Sequence, residues 1–222
     1  MSPQTRSGPK RPWSAYPLFK RILDLVVSGV ASLFLFFFFP FVALAIRLDS
    51  AGPILFKQVR LGLKGQPFSM LKFRSMMADG DESIHRAYYT SLVDGDAESR
   101  ENEEGDQVFL LDDPRVTRVG RFLRRTSIDE LPNFLNVFKG DMTLVGPRPP
   151  IPYEVELYDE RAKGRLAVKP GMTGLAQVSG RGSLSFARIT DYDLDYVARQ
   201  SMLLDLVILW RTIPAVLGRR GV

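Results

Sequence analysis

No cysteine occurs among the 222 residues. Its absence excludes disulfides, thiolate nucleophiles and cysteine-built zinc sites, and it suits a reducing compartment. Histidine is almost missing as well: His85 stands alone in an acidic stretch, and no G-x-S-x-G elbow accompanies it. A Ser-His-Asp or Cys-His triad would rest entirely on that one residue. Any catalysis in this chain is expected to rest on carboxylates, with Arg or Lys stabilising charge. Internal repeats are lacking too. The basic clusters have no interleaved aromatics outside one apolar run, which argues against a nucleic-acid partner.

The chain does have enough length for one domain with a real core. Its net charge of +5 points to anionic membranes or phosphorylated ligands. Basic residues gather at Lys10, Arg11, Lys20 and Arg21, from Arg115 to Arg125, and at Arg211, Arg219 and Arg220; acid concentrates in 79–82 and 94–106. From Leu25 to Ile46 no charge interrupts an apolar run with SGVASLFLFFFFPFVALA at its heart. That is long enough to cross a bilayer. Pro40 lies inside it, removing a backbone hydrogen bond and predicting a kink near 36–40. Lys20 and Arg21 precede the run, and Arg47, Lys57 and Arg60 follow it, so positive charge flanks both ends. A kinked helix that dips into the membrane and returns to the same face satisfies both facts better than a simple span.

Local patterns fill in the rest. ILFKQVRLG and PFSMLKFR alternate about Gly62-Leu63-Lys64-Gly65, predicting a β-hairpin over 54–74. Residues 79–113 are a polar, acidic excursion, with one short helix expected around 83–92. An amphipathic helix is expected over 118–125. Ser127 is the expected N-cap of a helix from Ile128 to Phe138, with Asp129 and Glu130 in its first turn. Residues 146–152 carry too many prolines for a helix. Helical patterns return at 154–163, 188–200 and 202–217, the last apolar enough to lie in a membrane interface. Residues 169–182 read as a glycine-rich loop.

Three clusters could carry chemistry. Asp129 and Glu130 diverge by about 100 degrees on a helix, yet a first-turn position lets both reach one pocket at a terminus that attracts phosphate. Upstream stand Arg121, Arg124 and Arg125; downstream, Arg148 sits between prolines, where a fixed guanidinium suits bidentate phosphate recognition. KPGMTGLAQVSGR offers Gly171, Gly174 and Gly180 for close backbone approach to a ligand, and Arg181 for phosphate. Asp191, Asp193 and Asp195 alternate; at most one or two could hold Mg²⁺, and a solvated face explains them better.

In combination, FKRILDLVVS, the proline-containing apolar helix, LKFRSM, RFLRRTSIDELPNFLNVFKGDMTLVGPRPP and KPGMTGLAQVSGR resemble, in order, the monotopic phosphoglycosyl transferases of the bacterial sugar transferase family. The match covers about residues 18–217. The resemblance implies transfer of a sugar-1-phosphate from a UDP-sugar to polyprenyl (undecaprenyl) phosphate, with release of UMP, through a phosphosugar-aspartyl intermediate. It implies Asp129 as nucleophile, Glu130 as Mg²⁺ ligand, and Arg124 and Arg148 as phosphate-handling residues. Arg181 and Asp193 match family positions of less defined role, Asp193 being assigned to the metal. Lys72 and Arg74, in LKFRSM, would face the same site. Where familiar members have Ser-Pro in the membrane helix, Phe39 precedes Pro40 here.

The expected architecture is mostly helical α+β: a basic arm over 1–17, a re-entrant membrane helix over 18–49, and a catalytic domain over 50–222 with amphipathic interfacial helices. The expected location is the cytoplasmic face of a bacterial inner membrane, in contact with membrane lipids. The sugar, the pathway and homodimer formation stay open. Two rivals remain. A membrane-anchored scaffold explains the apolar run but not the acidic pair beside arginines. A metal-dependent glycosyltransferase using Asp94-Gly95-Asp96 or Asp193-Leu194-Asp195 would release UDP rather than UMP.

Overall fold

In the computed structural model, residues 15–77, 86, 89–90, 93, 115–180 and 184–217 are described. Residues 1–14 of the basic arm, His85, most of the acidic excursion and Arg181 lie outside them, and the arm's last residues, Tyr16 and Pro17, belong to the first helix instead. The fold is mostly helical α+β, as predicted.

The chain opens with α1 (Tyr16–Asp49), a single α-helix that continues through Pro40. Pro17 opens it, where a missing N–H costs nothing. At 1.5 Å per residue its 34 residues reach about 51 Å, more than the roughly 30 Å of a bilayer core. It is long and apolar enough to cross a membrane. Leu33, Phe34, Phe36, Phe37, Phe41, Leu44 and Leu48 are all exposed, whereas Leu35, Ala43 and Ile46 are buried against the domain.

Both ends of α1 bear on that one domain. Near its start, Arg21 donates to the carbonyls of Val137 and Phe138, each at 2.9 Å. Asp24 accepts from Thr143 Oγ1 at 2.8 Å and from the Leu144 amide at 2.9 Å. Near its end, the Asp49 carboxylate accepts from the Val119 amide at 2.9 Å. Lys20 reaches Asp205 at 2.7 Å, the Val145 carbonyl at 2.8 Å and the Tyr196 hydroxyl at 3.1 Å. A buried charge is tolerated when it is paired and hydrogen-bonded in this way.

The predicted hairpin forms. β1 (Leu55–Leu61) pairs antiparallel with β2 (Pro67–Phe73), Leu55 opposite Phe73 and Leu61 opposite Pro67. Lys64 and Gly65 supply the positive φ that the connecting turn needs. α2 (Arg118–Arg125) follows with the predicted bounds, its N-cap Thr117 accepting from the Gly120 amide. Gly120 must be glycine: an added Cβ would stand 2.0 Å from the Ser75 carbonyl oxygen.

The predicted helix 128–138 does not form as one piece. Ser127 adopts the left-handed region, φ 55°, and its side chain caps nothing. Ile128–Glu130 is a single 3-10 turn, and α3 begins only at Asn133 (Asn133–Lys139). Pro132 is the cause: it has no N–H to donate and its ring opposes a helix continuing into it. Two further expectations are corrected. The 154–163 pattern splits into α4 (Pro152–Glu156) and α5 (Glu160–Lys163), with Asp159 capping the second. The glycine-rich stretch holds β4 (Gly171–Thr173) and α6 (Leu175–Gly180) rather than only loop. β4 pairs in parallel with β3 (Thr143–Val145), Thr143 opposite Gly171.

α7 (Phe186–Arg199) and α8 (Met202–Leu217) close the fold. One core cluster gathers Val137, Met142, Leu144, Val145, Leu175, Tyr196 and Ile208 around the β3–β4 pair. A second packs Leu35 and Ile46 of α1 against Phe73 and Leu123. A third joins Tyr89, from the acidic excursion, to Tyr158 and Ala162.

Candidate active site

The 3-10 turn after Ser127 turns two adjacent acids to different fates. Asp129 is buried, at 8% exposure. Glu130 is half-buried, its side chain 29% exposed, and Lys72 from β2 reaches its Oε1 at 2.6 Å. Burial pushes the Asp129 carboxyl up to about 6; Lys72 opposes the shift, Glu130 adds to it, and Arg124 opposes it. Burial also raises Glu130, but Lys72, then Arg148 and Arg60, outweigh that and hold it below the usual carboxylate range. Neighbouring carboxyls pushed apart in this way are a hallmark of acid–base or nucleophilic sites. Because the turn is not the first turn of an α-helix, the phosphate-attracting helix terminus expected from sequence is absent. Side-chain cations must supply that field instead.

The cations are held by backbone. Arg124 lies on the inner side of α2 and donates from Nε to Ser75 Oγ at 3.1 Å. Arg148 follows β3 in the G-P-R-P-P segment, its side chain 42% exposed and its Nη1 3.5 Å from Glu154 Oε1. Glu154 is wholly buried; its other oxygen accepts from the Ile151 amide at 2.9 Å. Arg60, also buried, donates to the Pro149 carbonyl at 2.9 Å, and the Leu61 amide to the Pro150 carbonyl at 2.9 Å. Burial and the nearby Arg148 both disfavour the Arg60 cation, which fits a residue placed to hold a loop. The hairpin thus fixes the proline-rich segment that presents Arg148. Asn136 braces the other side, accepting from the Leu71 amide and donating to the Ser69 carbonyl beside Lys72.

Two sequence-predicted members do not join this group. Arg74 is 4% exposed, and its guanidinium donates to the Ser50 and Ala51 carbonyls and to Ser50 Oγ. It secures the end of α1, so the shared LKFRSM segment sends Lys72 to the site and Arg74 away from it. Asp193, assigned to the metal from sequence, is 1% exposed and bound to Arg165, which also reaches the Tyr158 hydroxyl at 2.8 Å. Asp191 and Asp195 are taken by Arg161 and Arg199. Two of the glycines expected to admit a ligand, Gly171 and Gly174, instead admit backbone. A Cβ at Gly171 would lie 2.1 Å from the Gly146 amide nitrogen, and one at Gly174 2.4 Å from the Gly146 carbonyl oxygen. Arg181 is outside the described residues.

Sequence reasoning missed Lys20, Asp24, Arg60, Asn136 and Arg165. For Asp24 a signal existed: one acid, immediately before a long uncharged run, needs a partner if that face is buried.

Among the described residues no group of three or more His, Asp or Glu side chains could hold a metal. The adjacent donors at the site, Asp129 and Glu130, are hard carboxylate oxygens. They fit Mg²⁺ in the manner of phosphate-handling sites, where one or two carboxylates suffice and substrate phosphate and water complete the shell.

Comparison with known proteins matches residues 15–219 to the bacterial sugar transferase family model. The chain is 42% identical over 202 residues to the exopolysaccharide production protein ExoY of Sinorhizobium fredii, covering 91% of this chain and 87% of that one. It is 39% identical to the UDP-glucose:undecaprenyl-phosphate glucose-1-phosphate transferase of Caulobacter vibrioides, covering 96% of this chain and 74% of that one. It is 42% identical over 170 residues to the undecaprenyl-phosphate galactose phosphotransferase of Salmonella typhimurium, covering 77% of this chain and 34% of that one.

Proposed function

Since the chain belongs to the bacterial sugar transferase family, we propose that it moves a sugar-1-phosphate from a UDP-sugar to polyprenyl (undecaprenyl) phosphate at a membrane, serving polysaccharide assembly. The observation that carries this reading is the buried Asp129 beside the half-exposed Lys72–Glu130 pair, with Arg124 and Arg148 on either side. The two relatives just described as transferases are named for different sugars, glucose and galactose. The donor sugar is therefore left open.

Asp129 attacks the phosphorus that bears the sugar. A bond forms from its carboxylate oxygen to that phosphorus, and the bond to the bridging oxygen breaks. UMP leaves with that electron pair. A phosphate oxygen of the polyprenyl phosphate then attacks the same phosphorus and releases the Asp129 carboxylate. A carboxylate can serve as such a nucleophile, but attack on an anionic diphosphate needs charge relief. Arg124 and Arg148 supply it to the phosphoryl oxygens. Lys72 keeps Glu130 ionised and lowers the Asp129 pKa, so that the nucleophile is charged near neutral pH. Mg²⁺, held by Glu130 with Asp129 at hand, would neutralise diphosphate charge and favour departure of UMP.

Mass spectrometry of the protein mixed with a UDP-sugar and Mg²⁺, without lipid acceptor, tests the reading. The expected result is a sugar-phosphate adduct on the peptide containing Asp129, absent from Asp129→Asn, together with UMP. Release of UDP, or an adduct on Asp129→Asn, would overturn it.

The contacts from both ends of α1 to one domain support the re-entrant arrangement, since a helix spanning the bilayer would carry its ends to opposite sides. Single cysteines at Met1 and Gly221 in the cysteine-free chain should label from the same side of sealed vesicles. Labelling from opposite sides would refute the arrangement.

A further inference from the structure

The acidic excursion supplies no group to the reaction just derived, yet four of its residues bear on the element that follows Arg148. Arg86, Tyr89, Thr90 and Val93 are helical. At 100 degrees per residue they share an arc of about 100 degrees. Thr90 Oγ1 donates to the Arg86 carbonyl at 3.0 Å, one turn back. This face lies against α4 and α7. Tyr89 is buried in one cluster with Tyr158 and Ala162, and Val93, Tyr153, Val155 and Phe186 pack around them. The Arg86 guanidinium stands over the Tyr153 ring, 5.4 Å from its centre, and 3.8 Å from the Glu156 carboxylate. The Tyr89 hydroxyl lies 3.1 Å from that of Tyr158, to which Arg165 donates.

The same short helix holds Arg148. Tyr153 and Val155, which the excursion covers, flank Glu154, the buried residue of α4. One Glu154 oxygen accepts from the Ile151 amide. The other, Oε1, is buried and has no hydrogen-bond partner among the described residues. Arg148 Nη1 stands 3.5 Å from it. A buried carboxylate with an unbonded oxygen is costly unless a cation stays beside it. Glu154 therefore confines Arg148 on one side, while the guanidinium, 42% exposed, keeps its other donors free to meet a ligand. At five residues α4 is too short to hold its own conformation or place. Where Glu154 sits is decided by what packs on α4.

We propose that Tyr89 is a positioning residue for the transfer: its ring seats α4, α4 fixes Glu154, and Glu154 aims Arg148 at the phosphoryl oxygens of the sugar donor. This rests on the role of Arg148 given above and adds to it a function for the 86–93 face. A catalytic group displaced by about 1 Å can cost roughly a hundredfold in rate, so a brace far from the chemistry has a measurable effect.

Release of UMP from a UDP-sugar, with Mg²⁺ and polyprenyl phosphate, is followed with the full chain in detergent. Tyr89→Ala should lower kcat/KM roughly tenfold to a hundredfold, with most of the loss in kcat, because Arg148 meets charge that develops in the transition state. Tyr89→Phe, which keeps the ring, should restore most of it. Glu154→Gln can still accept from the Ile151 amide and should lose as much as Tyr89→Ala. In the Glu154→Gln/Arg148→Gln background, where no buried charge is left unpaired, Tyr89→Ala should cost nothing further. Equal losses from Tyr89→Ala in both backgrounds would place its effect elsewhere and overturn the brace, leaving the role of Arg148 intact. Unchanged kcat/KM in Glu154→Gln would do the same. Wild-type turnover in Glu154→Gln/Arg148→Gln would overturn the role of Arg148 and the brace together. Should Tyr89→Ala fail to fold, Val93→Ala, a smaller truncation on the same face, is read in the same two backgrounds with the same expected pattern.

Discussion

Lys72–Glu130 and Arg165–Asp193 are both ion pairs between one acid and one base, each near Arg148 in the same domain, yet they differ in what is left over. In the first, side chains are 26% and 29% exposed, and the adjacent Asp129 has a carboxyl raised by burial. In the second, exposures are 5% and 2%, and a tyrosine hydroxyl occupies another donor of the arginine. Burial raises the Asp193 carboxyl and Arg165 opposes that, so the aspartate's charge is answered from within. An acid–base pair that leaves acceptor capacity facing solvent can bind a phosphorylated ligand or metal. One closed on itself can only hold elements together. Here it ties α7 to the 3-10 turn Gly164–Ala167.

The sharpest separation comes from Asp129→Asn. Turnover should fall by a few orders of magnitude, on the scale of removing other covalent nucleophiles, while UDP-sugar binding, measured by calorimetry, persists. Residual activity near wild type would place the nucleophile elsewhere. Asp193→Ala should do the reverse, destabilising the fold by roughly 3–5 kcal/mol because Arg165 is left buried and unpaired. The double change Arg165→Met/Asp193→Leu should recover most of that in thermal unfolding, since paired buried charges are often replaceable by apolar residues. If the double variant stays as unstable as the single one, or if it folds but has lost Mg²⁺ dependence, the closed pair is not merely structural.

Lys72→Gln probes the open pair. Loss of one charged hydrogen bond predicts a decrease in kcat/KM of roughly ten- to a hundredfold. It also predicts a shape. Lys72 lowers the carboxyls of both Asp129 and Glu130, so its removal should move the acidic limb of the pH–rate profile to higher pH. An unmoved limb would mean that Lys72 acts on binding alone.

The same contrast explains what could be read from sequence. The hairpin was legible because alternation and a Gly-Leu-Lys-Gly turn act locally. α2, α7 and α8 were legible from helical periodicity. The acidic pair and the arginine between prolines were legible as residue types. Direction was not: Lys72 and Arg74 have the same parity on β2 and its extension, yet one meets Glu130 and the other Ser50 and Ala51. Asp193 looked like a ligand because its partner, Arg165, lies 28 residues earlier. The three-residue strands β3 and β4 are too short to show a period, and Gly171 and Gly174 look the same in sequence whether a ligand or another backbone approaches. Pro132 lies inside the predicted helix 128–138, and its missing N–H was the one local sign that the helix would split there.

The smallest expected effect concerns the stability of the open site itself. Burial raises the Asp129 carboxyl from 3.8 to about 6 in the folded chain. A carboxyl raised on folding binds its proton more tightly in the native state. Its contribution to stability is therefore fully present below pH 3.8 and is lost as pH rises through about 6. Above that pH the native protein carries an unfavourable buried charge, which the substrate complex and its cations would relieve. Asparagine carries no such charge at any pH. Without ligand, Asp129→Asn should therefore unfold at a higher temperature than wild type at pH 8. The gap should narrow between pH 6 and pH 4 and vanish below. For a chain of this size each kcal/mol shifts the midpoint by about 2–4 °C, so scanning calorimetry in detergent resolves the difference. A variant less stable than wild type at pH 8 would show that the Asp129 carboxylate is stabilised by bonds within the fold, making it a second closed pair and removing its claim to be the nucleophile.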